Sequence, residues 1–454
     1  MSLLIRGATV VRALHPAVVE TADIHVAGDR IAAIGAGLSV DAPVLDAGGC
    51  TVMPGNVNAH AHVYAALSRG MPYHLAPPTT FVEILQRIWW RLDRALDAPI
   101  IRASALVAAR EALLAGTTTL VDHHASPNAI DGSLDLLAET FEAVGLRSVL
   151  AYEVTDRDGR DRAADGLEEN RRFLRRCVTN RYPLARGMVG AHASFTLSDE
   201  TLAACASLAG ETGTGLHIHV AEDAADEADA VARTGRRVVP RLADARALDD
   251  RSLLAHGVHL DPGEAELIRE TGATVAHNPR SNMNNGVGRT PLDWLGERVA
   301  LGTDGIGADM FAESAVAYLR RREEDPATDV SWPLVLLAVG SRLAGRIFDE
   351  PLLGRLEAGA PADLVVLDYA APTLLDATTF GGHWIYGLSS AAVRDVMVGG
   401  DLVVRDRRLT RVDTAELDAE ARREAHRLWS RLEEIEPHPF APSRLLATAI
   451  GGTG

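Results

Sequence analysis

The run Thr51-Val52-Met53-Pro54-Gly55-Asn56-Val57-Asn58-Ala59-His60-Ala61-His62 decides the fold. It begins as an apolar strand over 51–57, is punctuated by Pro54-Gly55, and ends in two histidines two residues apart. In a strand such residues point to one face, so His60 and His62 can present two imidazole nitrogens to one ion at about 2.0–2.1 Å each. Working outward, further apolar strands read at 118–121, 148–152, 188–190, 215–220, 253–255, 273–276 and 298–302. Helical patterns separate most of them, for example over 102–115, 132–144 and 199–212. Eight strands alternating with helices predict a (β/α)8 TIM barrel. An open doubly wound sheet is the competing arrangement, and the absence of a G-x-G-x-x-G after the first strand counts against it.

The two ends have a different texture. Residues 2–11, 24–26 and 30–34 are short strand-like runs broken by Gly7, Gly28-Asp29 and Gly35, and similar runs return at 362–368, 393–398 and 402–404 around Gly399-Gly400. They are expected to pair into a small discontinuous β-sandwich domain. The division is 1–53 and 353–412 for the sandwich, 54–352 for the barrel, and 413–454 for a C-terminal helix and tail. Asp413-x-x-Glu416 reads as a capping box, and Leu417, Ala421, Leu428, Leu432 and Ile435 form an apolar stripe that docks on its own chain or on a second subunit.

Composition narrows the function. The 454 residues are 47 % hydrophobic and 24 % charged, values of a globular chain. The net charge of −17 opposes binding to nucleic acid or to an anionic membrane. All 45 basic residues are arginine. Without lysine there is no Schiff-base chemistry, no Walker A phosphate loop and no metal pair bridged by a carbamylated lysine. Three scattered cysteines (Cys50, Cys177, Cys205) form no zinc knuckle and no disulfide framework. Neither a signal-peptide h-region nor an apolar run of about 18 residues is present, so a soluble cytoplasmic protein is expected.

Three more strand ends carry polar residues. Leu216-His217-Ile218-His219-Val220-Ala221-Glu222 offers an imidazole to complete a three-histidine set, and a carboxylate able to reach an activated water or the substrate. His217 and His219 share a face, so both cannot be equally close to the ion. Leu253-Leu254-Ala255-His256-Gly257 ends the sixth strand. Asp304 follows the eighth, which lies beside the first in a closed barrel, and is an oxygen ligand candidate beside His60 and His62.

This order, H-x-H on strand 1, H-x-x-E on strand 5, H on strand 6 and D on strand 8, resembles the amidohydrolase superfamily. The likeness is to its cytosine-deaminase and triazine-chlorohydrolase branch, and most of all to aminohydrolases of the SsnA type. Matching segments include Val52-Met53-Pro54-Gly55, Ile88-Trp89-Trp90-Arg91-Leu92-Asp93, Asp122-His123-His124-Ala125-Ser126-Pro127, His277-Asn278-Pro279-Arg280-Ser281-Asn282-Met283 and Gly354-Arg355-Leu356-Glu357-Ala358-Gly359.

The resemblance implies that His60, His62, His219 and Asp304 hold one divalent ion, zinc or alternatively iron. It implies that Glu222 is an acid/base protonating a ring nitrogen, that Asp304 accepts the proton of the activated water, and that an imidazolium at His256 supports developing negative charge. His192, His123, His124, Arg280 and Asn282, with Asn278 and Ser281, are the implied substrate contacts. Trp89 and Trp90 are expected in the core. The implied reaction is hydrolytic deamination of a small purine, pyrimidine or pterin heterocycle by a homodimer or larger homo-oligomer. Ring opening of a cyclic amide and dechlorination are the alternatives, with a non-catalytic scaffold behind them. Phe81-Val82-Glu83-Ile84-Leu85 stands where nucleoside deaminases carry a Trp-Leu pair, which points away from an adenosine-type substrate.

Overall fold

The computed structural model describes residues 2–442. Five strands open the chain: β1 (Ser2–Ala13), β2 (Val18–Ala27), β3 (Arg30–Gly35), β4 (Val44–Asp46) and β5 (Thr51–Pro54). β2 and β3 form the expected hairpin at Gly28-Asp29, with Ala27 opposite Arg30.

The barrel strands follow: β6 (Asn56–Ala61), β7 (Thr117–His124), β8 (Arg147–Tyr152), β9 (Ala185–Gly187), β10 (Val189–Ala193), β11 (Leu216–Val220), β12 (Leu253–His256), β13 (Thr274–His277) and β14 (Val299–Leu301). β6-β7-β8-β9 and β10-β11-β12-β13-β14 are two parallel sheets. Two single parallel bridges, Val154 with Ala191 and Ala61 with Asp304, join them at both seams. Eight parallel strands thus form a TIM-barrel ring, with the short β9 as an extra rung on β8. The interior is filled by small and branched residues (Ala59, Val121, Val149, Ala276, Ala300), packed with Val339, Leu343 and Phe348 of the helix Trp332–Phe348.

One expectation is corrected here. The apolar run 51–57 is two strands, not one. β5 belongs to the terminal sheet and β6 begins the barrel. The chain changes sheet at Gly55, where a Cβ would lie 2.1 Å from Thr118 Oγ1, so glycine makes room for the Thr118 side chain of the next barrel strand.

The terminal sheet is completed by β15 (Leu364–Leu367), β16 (Val393–Val398), β17 (Asp401–Arg405) and β18 (Arg408–Leu409). Its order is β18-β17-β16-β15-β5-β1-β2-β3, with β4 added on β1. Ile5, Val10, Ile24, Val52, Val366 and Met397 are among the residues of its own core. A buried ion pair ties it to the barrel: Arg147 Nε donates to Asp363 Oδ2 at 2.7 Å and Nη2 to Oδ1 at 3.1 Å.

The C-terminal helix Thr414–Glu433 is capped by Asp413, which accepts the Ala415 and Glu416 N–H groups. It docks on its own chain, burying Leu417, Leu428 and Leu432, and pairs Glu420 and Asp418 with Arg102 and Arg110 of the helix Ala98–Leu114. Each buried leucine contributes about 1.5–3 kcal/mol. The end of the expected tail, residues 443–454, lies outside the described part.

Candidate metal centre

His60 lies in β6, His62 directly after it, His219 in β11 and Asp304 just beyond β14, all at the carboxyl ends of barrel strands. Three strand-end residues that are not glycine adopt left-handed backbone: Ala221 (φ 48°), His256 (φ 75°) and Asp304 (φ 54°). Such conformations cost about 1–3 kcal/mol each and gather at functional sites. Here they turn the chain sharply where the side chains must meet. Gly302 serves the same end. A Cβ on it would sit 2.3 Å from Asn278 Oδ1 and 2.8 Å from His60 Cβ.

The four side chains converge. His62 Nε2 and His219 Nε2 are 3.1 Å apart, and Asp304 Oδ1 is 3.3 Å from His62 Nε2 and 3.8 Å from His60 Nε2. Donors about 2.0–2.1 Å from a tetrahedral zinc lie about 3.3–3.4 Å from one another. Hydrogen bonds settle the tautomers. His62 Nδ1–H donates to His123 O at 2.7 Å and His219 Nδ1–H to His192 O at 2.8 Å, which leaves both Nε2 lone pairs facing inward. His60 Nε2 is buried with no hydrogen-bond partner. Facing lone pairs, an orphaned nitrogen and a carboxylate fit a divalent cation. Burial, reinforced by the neighbouring imidazoles, holds His60 and His219 well below the usual histidine range, so both stay neutral as ligands must be.

The second tier explains the other residues. His217, two positions before His219, reaches His60 Nδ1 at 2.9 Å and backs that ring. His256 Nδ1 pairs with Asn282 Oδ1 at 2.8 Å, and its Nε2 lies 3.5 Å from Glu222 Oε2 and 3.9 Å from Asp304 Oδ2. Burial, and then the Asp304 charge, raises Glu222 well above the usual carboxylate range, the direction a proton donor needs. Burial lowers His256, partly offset by Asp304 and Asn282, which works against the expected imidazolium. The Ser281 hydroxyl donates to Asp304 Oδ2.

Above the cluster is a cavity lined by His62, His219, Glu222, Asp304, His192 and Glu153, with Trp89, Trp90 and Phe195 on its aromatic side. Of the expected substrate contacts, only His192 lines it. His124 turns to Ser126 Oγ at 2.9 Å. His123 is engaged by Glu153 and His217 O. Asn282 stands behind His256, and Asn278 lies under Gly302. Arg280 is locked to Glu313 and Gly307 O. Trp90 is fully buried in a core cluster with Phe81, Leu85 and Phe195, as expected, and Trp89 packs half-buried against it; both also border the cavity. Sequence reasoning missed Glu153. It follows strand β8, and its position at a strand end was the available signal.

The amidohydrolase family pattern matches residues 51–403, and the chain belongs to that family. It is 33 % identical over 373 residues to a 5'-deoxyadenosine deaminase of Methanopyrus kandleri, covering 81 % of this chain and 84 % of the relative. It is 32 % identical over 419 residues to a 5-methylthioadenosine/S-adenosylhomocysteine deaminase of Nitratidesulfovibrio vulgaris, covering 89 % and 92 %. An adenosine deaminase of Xanthomonas campestris solved with bound zinc superposes with a TM-score of 0.81 at 26 % identity, over 94 % of this chain and 98 % of that one. Chains with adenosine-type names therefore stand among the similar ones, and the missing Trp-Leu pair alone does not exclude that substrate class. Among the described residues no helix is long and apolar enough to cross a membrane.

Proposed function

We propose that this chain is a metal-dependent aminohydrolase that removes the amino group of a small N-heterocycle. The observation that carries the reading is the convergence of His60, His62, His219 and Asp304 beside the Glu222–His256 pair. The first four would hold one divalent ion. Zinc suits the nitrogen and oxygen donors and is bound in the Xanthomonas neighbour, with iron as the alternative. Such an ion, when bound, supplies a water acidic enough to react as hydroxide near pH 7.

The chain's own groups do the rest. Asp304 accepts the proton of the attacking water and later passes it to the amino group, which leaves as ammonia when the C–N bond breaks, while the new hydroxyl's proton returns to Glu222. Glu222, its pKa raised by its surroundings, donates to a ring nitrogen as the tetrahedral centre forms. That general-acid step is worth roughly 10²–10⁴-fold. His256, held through Nδ1 by Asn282, offers Nε2 to the same region. Trp89, Trp90 and Phe195 give a flat ring an apolar wall and exclude water.

Purine, pyrimidine and pterin bases remain in the substrate class, and the names of the relatives add adenosine-derived nucleosides. Cytoplasmic residence agrees with three free cysteines. The proposed homodimer or larger homo-oligomer is tested by light scattering. The function is tested by ammonia release from a panel of aminopurines, aminopyrimidines and pterins with the zinc-loaded chain and after chelation. Ring opening without ammonia would make it a cyclic-amide hydrolase, chloride release a chlorohydrolase, and no metal with no turnover a scaffold.

A further inference from the structure

The polar lining of the cavity is acidic. Besides Asp304 it carries Glu153, Glu222, Asp223 and Asp226, and among the described residues no arginine lines it. Most of these carboxylates are committed. Asp226 accepts the backbone N–H groups of Phe195 and Ala221, each at 3.0 Å. Asp223 caps the next helix through the Ala225 N–H. Glu222 accepts from Asn285 Nδ2 at 3.3 Å and lies 3.5 Å from His256 Nε2.

Glu153 is different. It is buried, its Oε1 accepts from Arg157 Nη1 at 3.0 Å, and its Oε2 lies 3.2 Å from His123 Nδ1. Each carboxylate oxygen has two acceptor directions, so one on each remains for a ligand. Arg157 is itself buried and bound by Asp93 and Asp158. It holds Glu153 in place and offers no charge to the cavity. Beside it, the Thr196 hydroxyl donates to Ala193 O at 3.1 Å and therefore accepts from His192 Nδ1–H at 2.6 Å. The remaining His192 nitrogen, 3.9 Å from Glu153 Oε1, carries a lone pair. This stretch of wall accepts hydrogen bonds and donates none.

We infer that Glu153 is a specificity-determining residue. With His192 it selects heterocycles that present N–H donors to this wall, and it rejects substrates that bring a phosphate or carboxylate there. A site built to pair a donor penalises the analogue that lacks it, because its own buried acceptors are left unsatisfied. A buried like charge adds repulsion against anions. The inference rests on the deamination reading for its class of substrate.

Calorimetric binding of adenine, 7-methyladenine and 9-methyladenine to the zinc-loaded chain tests it, with ammonia release from the same three bases. In the unaltered protein at least one methylation weakens binding tenfold or more. In Glu153→Gln that gap shrinks below threefold. Equal binding of all three by the unaltered protein overturns the inference, and so does a gap that survives Glu153→Gln. Should that variant not fold, Glu153→Asp, which keeps the charge but retracts it, must weaken adenine more than the blocked base, and an equal loss overturns the inference. Discrimination without ammonia leaves the role of Glu153 standing and removes deamination. Ammonia without discrimination does the reverse. Failure of all three bases to bind overturns the inference and leaves deamination to the wider substrate panel.

Discussion

His62 and His219 face each other across 3.1 Å with both outer nitrogens tied to backbone carbonyls. Neither can donate to the other, so the pair is at ease only around a cation. His219→Ala or Asp304→Asn should remove both bound metal and turnover. Elemental analysis and ammonia assay check this, and near-normal kcat in either variant would show that the ligand set is misassigned.

Glu222→Gln should separate metal binding from catalysis. The isosteric amide keeps the volume, and Glu222 belongs to none of the side-chain groups that converge closely enough to share an ion. Full metal content with kcat reduced by roughly 10²–10⁴-fold is expected. Loss of the ion would instead place Glu222 among the ligands.

The Arg147–Asp363 pair is buried on both sides and bidentate. Asp363→Asn leaves the guanidinium without its counter-charge between barrel and terminal sheet, at a cost of about 3–5 kcal/mol. Urea unfolding measures it, and the kcat of the folded fraction should not change.

Glu227 lies against Glu264, and burial first, then that neighbour, push it up to about 9. A carboxyl raised on folding stabilises below its unfolded pKa, and that contribution is lost as pH rises through the folded value. Thermal midpoints should therefore fall between pH 7 and 9.5, and Glu227→Gln, which cannot ionise, should fall less. Identical profiles would remove Glu227 as the titrating group.

The barrel and the convergence of His60, His62, His219 and Asp304 are legible in the sequence because both obey short-range rules. Strands with period two end in histidines, and strand order makes Asp304 a neighbour of Ala61. What is not legible depends on packing between distant segments. Nothing near Gly55 in the chain announces Thr118, so the switch between sheets at 51–57 is hidden. Arg280 looks like a substrate group until Glu313, 33 residues on, is seen to hold it. Trp90 is core as its apolar bulk suggests, and that bulk alone does not reveal that the same cluster also borders the cavity. Glu153 carries no motif, and its meaning comes from Arg157, His123 and His192 together.

The terminal sheet has a consequence for how the molecule is made. β5 lies between β1 and β15, yet β15 leaves the ribosome some 310 residues after β5. At about 5–20 residues per second the open edge of β5 waits roughly 15–60 s for its partner. During synthesis the nascent first domain is thus an unfinished sheet with a sticky flank. Chaperone dependence in the cell should follow from the interval between these two strands rather than from the barrel that separates them.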